Sequence, residues 1–435
     1  MKIRSQFILS GLFLVCWIAQ SQNSENKYLK ENGLNPITGI KDSINKRRSE
    51  TIDSIITIGI TNKSFPGAQL LVAQNDTIIF HKAFGHHTYD SIRPVVLSDV
   101  YDLASVTKIL GPLPAIMKLY DEGKLHLDVP FSTYWKPWGR RKGKKDLTLR
   151  QILSHQAGLE PYIVFLSEAM REGRPKKRFI KSSSKRRFNK QAYDNLFIKN
   201  RFNRKMYRHI NRSEVSEDKK YKYSGLAFLL FPQIIENLTG EDYETYLEET
   251  FYGPIGAKTL RFTPLLKKLN NSAVPTEIDT LFRKALVTGW VHDENAALLG
   301  GVSGNAGLFG NAEDVAKMMQ MYLNYGTYGG KRYILENTLK EFTRVQYPEN
   351  DNYRGLGFDK PLLNNSELEL SEAYPAPGVS PESFGHTGFT GTMVWADPKN
   401  QMVFIFLSNR VYPSRDHRSL YSLRIRQALQ QVFLE

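Results

Sequence analysis

Ser105-Val-Thr-Lys108 sits at the head of an apolar stretch, with the serine three residues before the lysine. On a helix that spacing puts both side chains on one face. A serine hydroxyl is a weak nucleophile, and a lysine with its ordinary pKa of about 10.4 is a poor base at neutral pH. Held together in a closed pocket, the lysine can draw off the serine proton, and a helix N-terminus favours negative charge developing at the serine. S-x-x-K alone is a weak signal, because both residues are common. Two downstream groups strengthen it: Tyr223-Ser224-Gly225 and His386-Thr387-Gly388.

With these three groups in this order, the chain resembles the serine β-lactamase and penicillin-binding-protein superfamily. The branch it resembles most is that of the class C β-lactamases with their esterase and peptidase relatives. Leu153-Ser-His-Gln-Ala-Gly-Leu159, Tyr223-Ser-Gly-Leu-Ala-Phe-Leu-Leu230, Gly385-His-Thr-Gly-Phe-Thr-Gly391 and Leu407-Ser-Asn-Arg410 extend the resemblance over most of the chain. It implies Ser105 as nucleophile of an acyl-enzyme and Lys108 as the group that accepts or polarises its proton. Tyr223 is implied as a proton shuttle, since a phenol beside an ammonium can serve as a base. The backbone N–H groups of Ser105 and Phe389 are implied as the oxyanion hole. His386, Thr387, Gly388 and Gly225 fall at substrate-binding positions, and neither a metal nor an organic cofactor is required.

Two departures bear on the substrate. Gly225 stands where the family places an asparagine, and His386 where it places the lysine that binds the carboxylate of β-lactams and terminal D-alanine. Both argue against an efficient β-lactamase or D-alanine carboxypeptidase, because a histidine is mostly neutral at pH 7. A narrower resemblance, from Val291-His-Asp-Glu-Asn through Gly304-Asn-Ala-Gly-Leu-Phe-Gly310, is to β-lactamase-like proteins of muropeptide recycling. It makes peptidoglycan-derived fragments the leading substrate class. The expected function is thus an exported serine hydrolase of amide or peptide bonds. An esterase or weak class C-type β-lactamase is the alternative among enzymes, and a non-catalytic wall-binding protein the alternative outside them.

The elements that must position these residues follow from pattern. Ala68–Ala73 and Thr77–Ala83 read as strands turned through Asn75-Asp76, and Thr392–Ala396 and Met402–Leu407 as a second pair turned at Asp397-Pro398. Helices are expected over 50–60, 105–122 with a kink at Pro112 and Pro114, 146–153, 226–237, 312–325 and 415–433. The fold class expected is α+β of the β-lactamase/transpeptidase type. It has an antiparallel sheet flanked by the terminal helices, with an all-helical lobe inserted over roughly 105–275 and the active site between them.

Lys2 and Arg4 precede the apolar run Phe7–Ile18, and small residues follow at 19–21. This is the layout of a signal peptide, 1–21, followed by a polar tether, 22–48, and the hydrolase domain, 49–435. The single cysteine, Cys16, lies in that leader, and the bulk of Val15 argues against its lipidation. Cleavage after Ser21 leaves no cysteine, which excludes disulfides and thiol catalysis. Of the net charge of +15, nearly all resides in 171–212, where sixteen Lys and Arg face only Glu172 and Asp194. A solvated loop or helical insertion is the first expectation for such a run. Docking to an anionic wall polymer or membrane surface is the functional one, and export sets nucleic acid aside as a partner. His292-Asp293-Glu294 reads as a structural loop rather than a metal site, the glycines of 299–310 as a tight turn near the cleft, His155 as packing beneath it, and His86 and His87 as an exposed pair at a strand end.

Overall fold

The computed structural model describes residues 33–35, 46–267 and 273–435. The expected signal peptide and Cys16 lie outside the described residues. Within the stretch read as a tether, Asn35 is hydrogen-bonded to the chain at Asp76 and Ile78, and Lys46–Arg48 already belong to a helix, Lys46–Thr61.

Five strands form one antiparallel sheet: β1 (Gly67–Gln74), β2 (Thr77–Gly85), β3 (Phe384–Thr387), β4 (Met393–Asp397) and β5 (Met402–Ser408). Their order is β3-β4-β5-β1-β2, so the two ends of the chain meet at the β5–β1 pair, with Leu70 opposite Phe406. Successive side chains of a strand face opposite sides. Ala68, Leu70 and Val72 of β1, with Phe404 and Phe406 of β5, pack on one side with Ile52, Ile56, Ile425 and Leu429 of the terminal helices. Leu71 and Ala73, with Val403, Ile405 and Leu407, enter the main core on the other side. The unbroken apolar runs Leu70–Ala73 and Met402–Leu407 are what strands covered on both faces require.

On that second face lies the helix Ala312–Leu323, which starts where the Asn311 side chain accepts from Asp314 N at 2.9 Å. It buries Val315, Met318, Met319 and Tyr322. The C-terminal helical region is shorter than its pattern suggests. Ser419–Ser422 and Ile425–Val432 are separated at Arg424, whose φ of 51° is left-handed.

The inserted lobe is not all helical, which corrects the sequence expectation. Residues 171–212 fold into a hairpin turn, a three-stranded sheet of Ile180–Lys181, Leu196–Ile198 and Lys190–Tyr193, and the helix Phe202–Arg212. Ile180, Ala192, Ile198, Phe202, Met206 and Ile210 are buried, so the basic run is the outer surface of a packed unit and not a solvated loop. Its last turn is tied down from outside. Trp135 Nε1 and Trp138 Nε1 both donate to Asn211 Oδ1, and the buried Lys144 ammonium donates to Ile210 O at 2.7 Å.

Candidate active site

Ser105 lies in a single 3₁₀ turn, Ala104–Val106, which runs into the four-residue helix Thr107–Leu110. The helix breaks at Gly111 and restarts with Pro112 at its first position, as the prolines imply. One short turn carries little dipole, so stabilisation of charge at Ser105 falls to individual donors. Ala104 has φ of 46°, a left-handed conformation that costs energy for a residue with a Cβ. It is held there by the buried Asp102, whose Oδ1 accepts from Ala104 N at 2.8 Å while Oδ2 accepts from His292 N at 2.7 Å.

Lys108 Nζ stands 2.8 Å from Ser105 Oγ. It also donates to the main-chain oxygen of Asn305 at 3.1 Å and lies 5.2 Å from the centre of the Tyr223 ring. Tyr223 is half-buried, and its ring packs 4.5 Å from that of His155, centre to centre. His155 is buried beneath the site, with Nδ1 accepting from Ser224 N at 3.2 Å, and it fixes the tyrosine by packing, as expected. The adjacent Ser154 and Gln156 hold Asn352, whose Oδ1 in turn accepts from Arg354 N.

The turn after β3 closes over the nucleophile. Thr390 Oγ1 donates to Asp102 O at 2.7 Å and Thr392 Oγ1 to Leu103 O at 3.2 Å, locking the turn to the segment that leads into Ser105. A Cβ on Gly388 would meet Leu103 O at 2.6 Å, so only glycine allows this approach. Among the described residues, neither Ser105 N nor Phe389 N finds a protein acceptor. Phe389 O instead accepts from Arg410 Nε at 2.8 Å, which orients that peptide.

His386 is buried on β3, and its Nδ1 must carry hydrogen, because it faces the carbonyl of Thr387 at 2.7 Å. Its Nε2 is a buried lone pair without a partner among the described residues. Burial, with Arg354 and Lys108 nearby, lowers its pKa to about 4 against the opposing pull of Asp359, so the ring is neutral at pH 7.

Ser105 stands at the junction of two clefts. One, of about 340 Å³, is lined by Tyr223, His386, Thr387, Arg354, Asp359 and Lys360 among others. Sequence reasoning missed the last three. Their signal was three charges in the run Arg354-Gly-Leu-Gly-Phe-Asp-Lys360, spaced by glycines and apolar residues as solvated charges seldom are. Backbone bonds in both directions between Asp359 and Gly385 add this segment to the edge of β3, beside His386. Arg354 pairs with Asp359, which also accepts from Tyr374 Oη at 2.6 Å. Burial pushes the Asp359 carboxyl up, but Arg354, His386 and the Tyr374 hydroxyl outweigh it and hold the group below its ordinary range. Burial lowers the Lys360 ammonium to about 8, still charged at pH 7. Two cations against one carboxylate leave this cleft net positive.

The second cleft, of about 410 Å³, is walled by Tyr162, Val164, Leu166, Leu281 and Phe389, with Asp293, Glu294 and Arg415 at its polar end. Asp293 caps the helix Glu294–Leu298 and accepts from Asn305 Nδ2 at 3.2 Å. Arg415 is shared between Glu277 and Glu294. Thus His292-Asp293-Glu294 is structural and also borders the site. No group of acids, histidines and cysteines able to hold a metal occurs among the described residues.

Two expectations need correction. Gly225 lines neither cleft, and its N–H donates to Pro161 O at 3.1 Å. His87 is not exposed: it is buried against Asp99, with Nε2 2.8 Å from Oδ2, and only His86 keeps partial exposure. The alternation past the end of β2 hides this, because the partner acid comes from the loop that folds back.

The family described as Beta-lactamase matches residues 52–429. An Escherichia coli O157:H7 protein named "Putative D-alanyl-D-alanine carboxypeptidase" is 30% identical over 396 residues, covering 85% of this chain and 84% of its own length. Among solved structures, a penicillin-binding protein homolog from Caulobacter crescentus superposes with a TM-score of 0.58 at 17% identity, over 91% of this chain and 99% of that one. A family VIII carboxylesterase gives 0.59 at 19% identity, over 88% and 97%. At such identities the last two establish the fold.

Proposed function

The chain belongs to the β-lactamase family and is a serine hydrolase, and we propose that it cleaves amide bonds next to a free carboxylate in peptidoglycan-derived peptides, through an acyl-enzyme on Ser105. The observation that carries this reading is the pair of buried cations, Arg354 and Lys360, in the cleft that adjoins Ser105 and Thr387. They offer the carboxylate anchor that a neutral His386 withholds, which removes the main sequence argument against a carboxypeptidase. The name borne by the Escherichia coli relative points the same way.

In the proposed reaction Ser105 Oγ attacks the carbonyl carbon while its proton passes towards Lys108 Nζ, 2.8 Å away. The oxyanion lies between the N–H groups of Ser105 and Phe389. As the C–N bond breaks, Tyr223 returns a proton to the departing nitrogen, and the amino acid leaves with its carboxylate in the basic cleft. Water then cleaves the ester by the same proton path in reverse. The acyl portion occupies the second cleft, whose apolar walls and Asp293 suit a group carrying both apolar surface and an amine. That apolar wall also favours simple esters as a second reading. The leader, with Lys2 and Arg4 ahead of Phe7–Ile18, supports export to the compartment where such peptides occur.

Mass spectrometry of a muropeptide digest, with Ser105→Ala in parallel, tests the reading. Ser105-dependent loss of the terminal amino acid is the expected result. Release of the whole stem peptide would make the protein an amidase instead, and turnover of esters alone would sink the peptide reading.

A further inference from the structure

The packed unit of residues 171–212 carries an open cleft of about 590 Å³, lined by Arg186, Arg187, Lys199, Arg201 and Lys205 with Phe179 and no carboxylate. We propose that this cleft is a binding site for a phosphorylated glycan, recognised through two or more clustered phosphate groups. It is separate from the clefts at Ser105, and the inference does not depend on the reaction there.

Lys205 has an acidic neighbour, Glu168 at 2.8 Å, but among the described residues Arg186, Arg187, Lys199 and Arg201 form no ion pair. Four uncompensated cations around one concavity repel one another, and concave walls concentrate their field on whatever enters. The arrangement is not a floppy run that relaxes by spreading out. Asn200 N donates to Arg187 O at 2.9 Å, and Asn200 Nδ2 donates to Arg186 O at 3.3 Å. Asn200 Oδ1 accepts from Asn189 N at 2.9 Å, and Lys185 and Phe188 exchange backbone bonds across the turn. One asparagine therefore clamps the backbone of the Arg186–Arg187 turn against that of Lys199 and Arg201, so a ligand has only the side chains to order.

The side chains choose the chemistry. Three guanidinium forks match the paired oxygens of phosphate. A cleft of this size holds more than one such group with the sugar between them. A bilayer is disfavoured as the source, because none of the exposed large apolar side chains belongs to residues 171–212 and nothing there would enter acyl chains. Phe179, already overlaid by Arg178 at 4.7 Å and approached by Lys205 at 5.9 Å, offers a ring edge to a sugar.

Calorimetric titration of the full chain with tripolyphosphate, and with a phosphorylated disaccharide, tests the site at 0.15 M salt. Saturable one-to-one binding is expected, weakened at least about tenfold in the Arg186→Gln, Arg187→Gln, Lys199→Gln, Arg201→Gln variant. A control losing the same charge from exposed positions outside the cleft, Arg140, Lys142, Lys331 and Lys399 each to Gln, should bind as wild type does. Arg201→Gln alone carries the test if the fourfold variant melts early, and ester turnover at Ser105 should be unchanged in all. Equal losses in the cleft and control variants, absence of saturable binding, or binding confined to vesicles of anionic lipid would each overturn the proposal.

Discussion

The main-chain oxygen of Asn305 lies 3.1 Å from Lys108 Nζ, so the lysine that meets Ser105 is held by a residue 197 positions further along the chain. The space beside Gly225 is nearly open, since an added Cβ would meet only Asn305 Cβ, at 4.0 Å. Gly225 has no side chain to offer Lys108, which is held instead by a backbone oxygen from another segment. That oxygen is steadied through its own side chain, since Asn305 Oδ1 accepts from Ser303 Oγ at 2.7 Å and Nδ2 donates to Asp293.

Asn305→Ala should therefore slow catalysis without touching the nucleophile. Losing two side-chain hydrogen bonds frees the loop by about 1 kcal/mol each, and 1.4 kcal/mol of lost transition-state stabilisation is tenfold in rate. Steady-state kinetics should show kcat down about tenfold with KM within about twofold. An unchanged kcat would mean that the backbone holds Lys108 without help from the side chain.

The Ser105–Lys108 pair was legible because both residues share one turn, and the sheet was legible because Leu70–Ala73 of β1 and Met402–Leu407 of β5 are unbroken apolar runs. Arg354, Asp359 and Lys360 were not, because their relation to His386 exists only once Asp359 pairs with Gly385 across the sheet edge. Nor was Asn305, whose contribution to Lys108 is a carbonyl that every residue possesses. In 171–212 the charge marked a surface, but strands of two to four residues are too short to show a period, so the packed interior of Ile180, Ala192 and Ile198 stayed hidden.

His87 offers a test of stability apart from the site. Its ring meets Asp99, which also accepts from Val96 N at 2.8 Å, and Asn409 Nδ2 donates to His87 O. His87→Ala leaves the buried carboxylate short of a partner, which costs about 1–3 kcal/mol. The urea midpoint should fall accordingly, with kcat unaltered by more than about twofold. A loss of activity at full stability would assign His87 a function the geometry does not suggest.

Lys360→Gln separates the two substrate readings. The ammonium donates to Glu382 O at 2.8 Å and has no carboxylate of its own within ion-pair reach among the described residues, so its removal perturbs the fold less than Arg354→Gln, which would strand Asp359. For a substrate with a free carboxylate, KM should rise roughly tenfold with kcat nearly constant, while a neutral ester should be turned over as before. Equal effects on both substrates would remove Lys360 from carboxylate recognition.

The pH profile should carry two limbs of known origin. His386 titrates at about 4 rather than at its ordinary 6.5, so kcat/KM should hold steady through pH 6.5, and any change of its making should appear only as pH drops through about 4. Its folded pKa lies below the unfolded one, so the stability gained by burying the neutral ring is complete above 6.5 and lost as pH falls through 4. Lys360 works at the other end. With its pKa lowered from 10.5 to about 8, it loses its charge above 8, and KM for a carboxylate substrate should climb there. Burial favours the neutral amine, so the unfolded chain binds more protons between 8 and 10.5. Over that window this group's contribution to stability therefore rises with pH, even as binding weakens. Thermal unfolding and kinetics measured side by side from pH 3.5 to 10 should show the two trends diverging above about 8, and the divergence should vanish in Lys360→Gln. A limb near 6.5 that disappears in His386→Gln would show instead that the histidine is charged when the enzyme works.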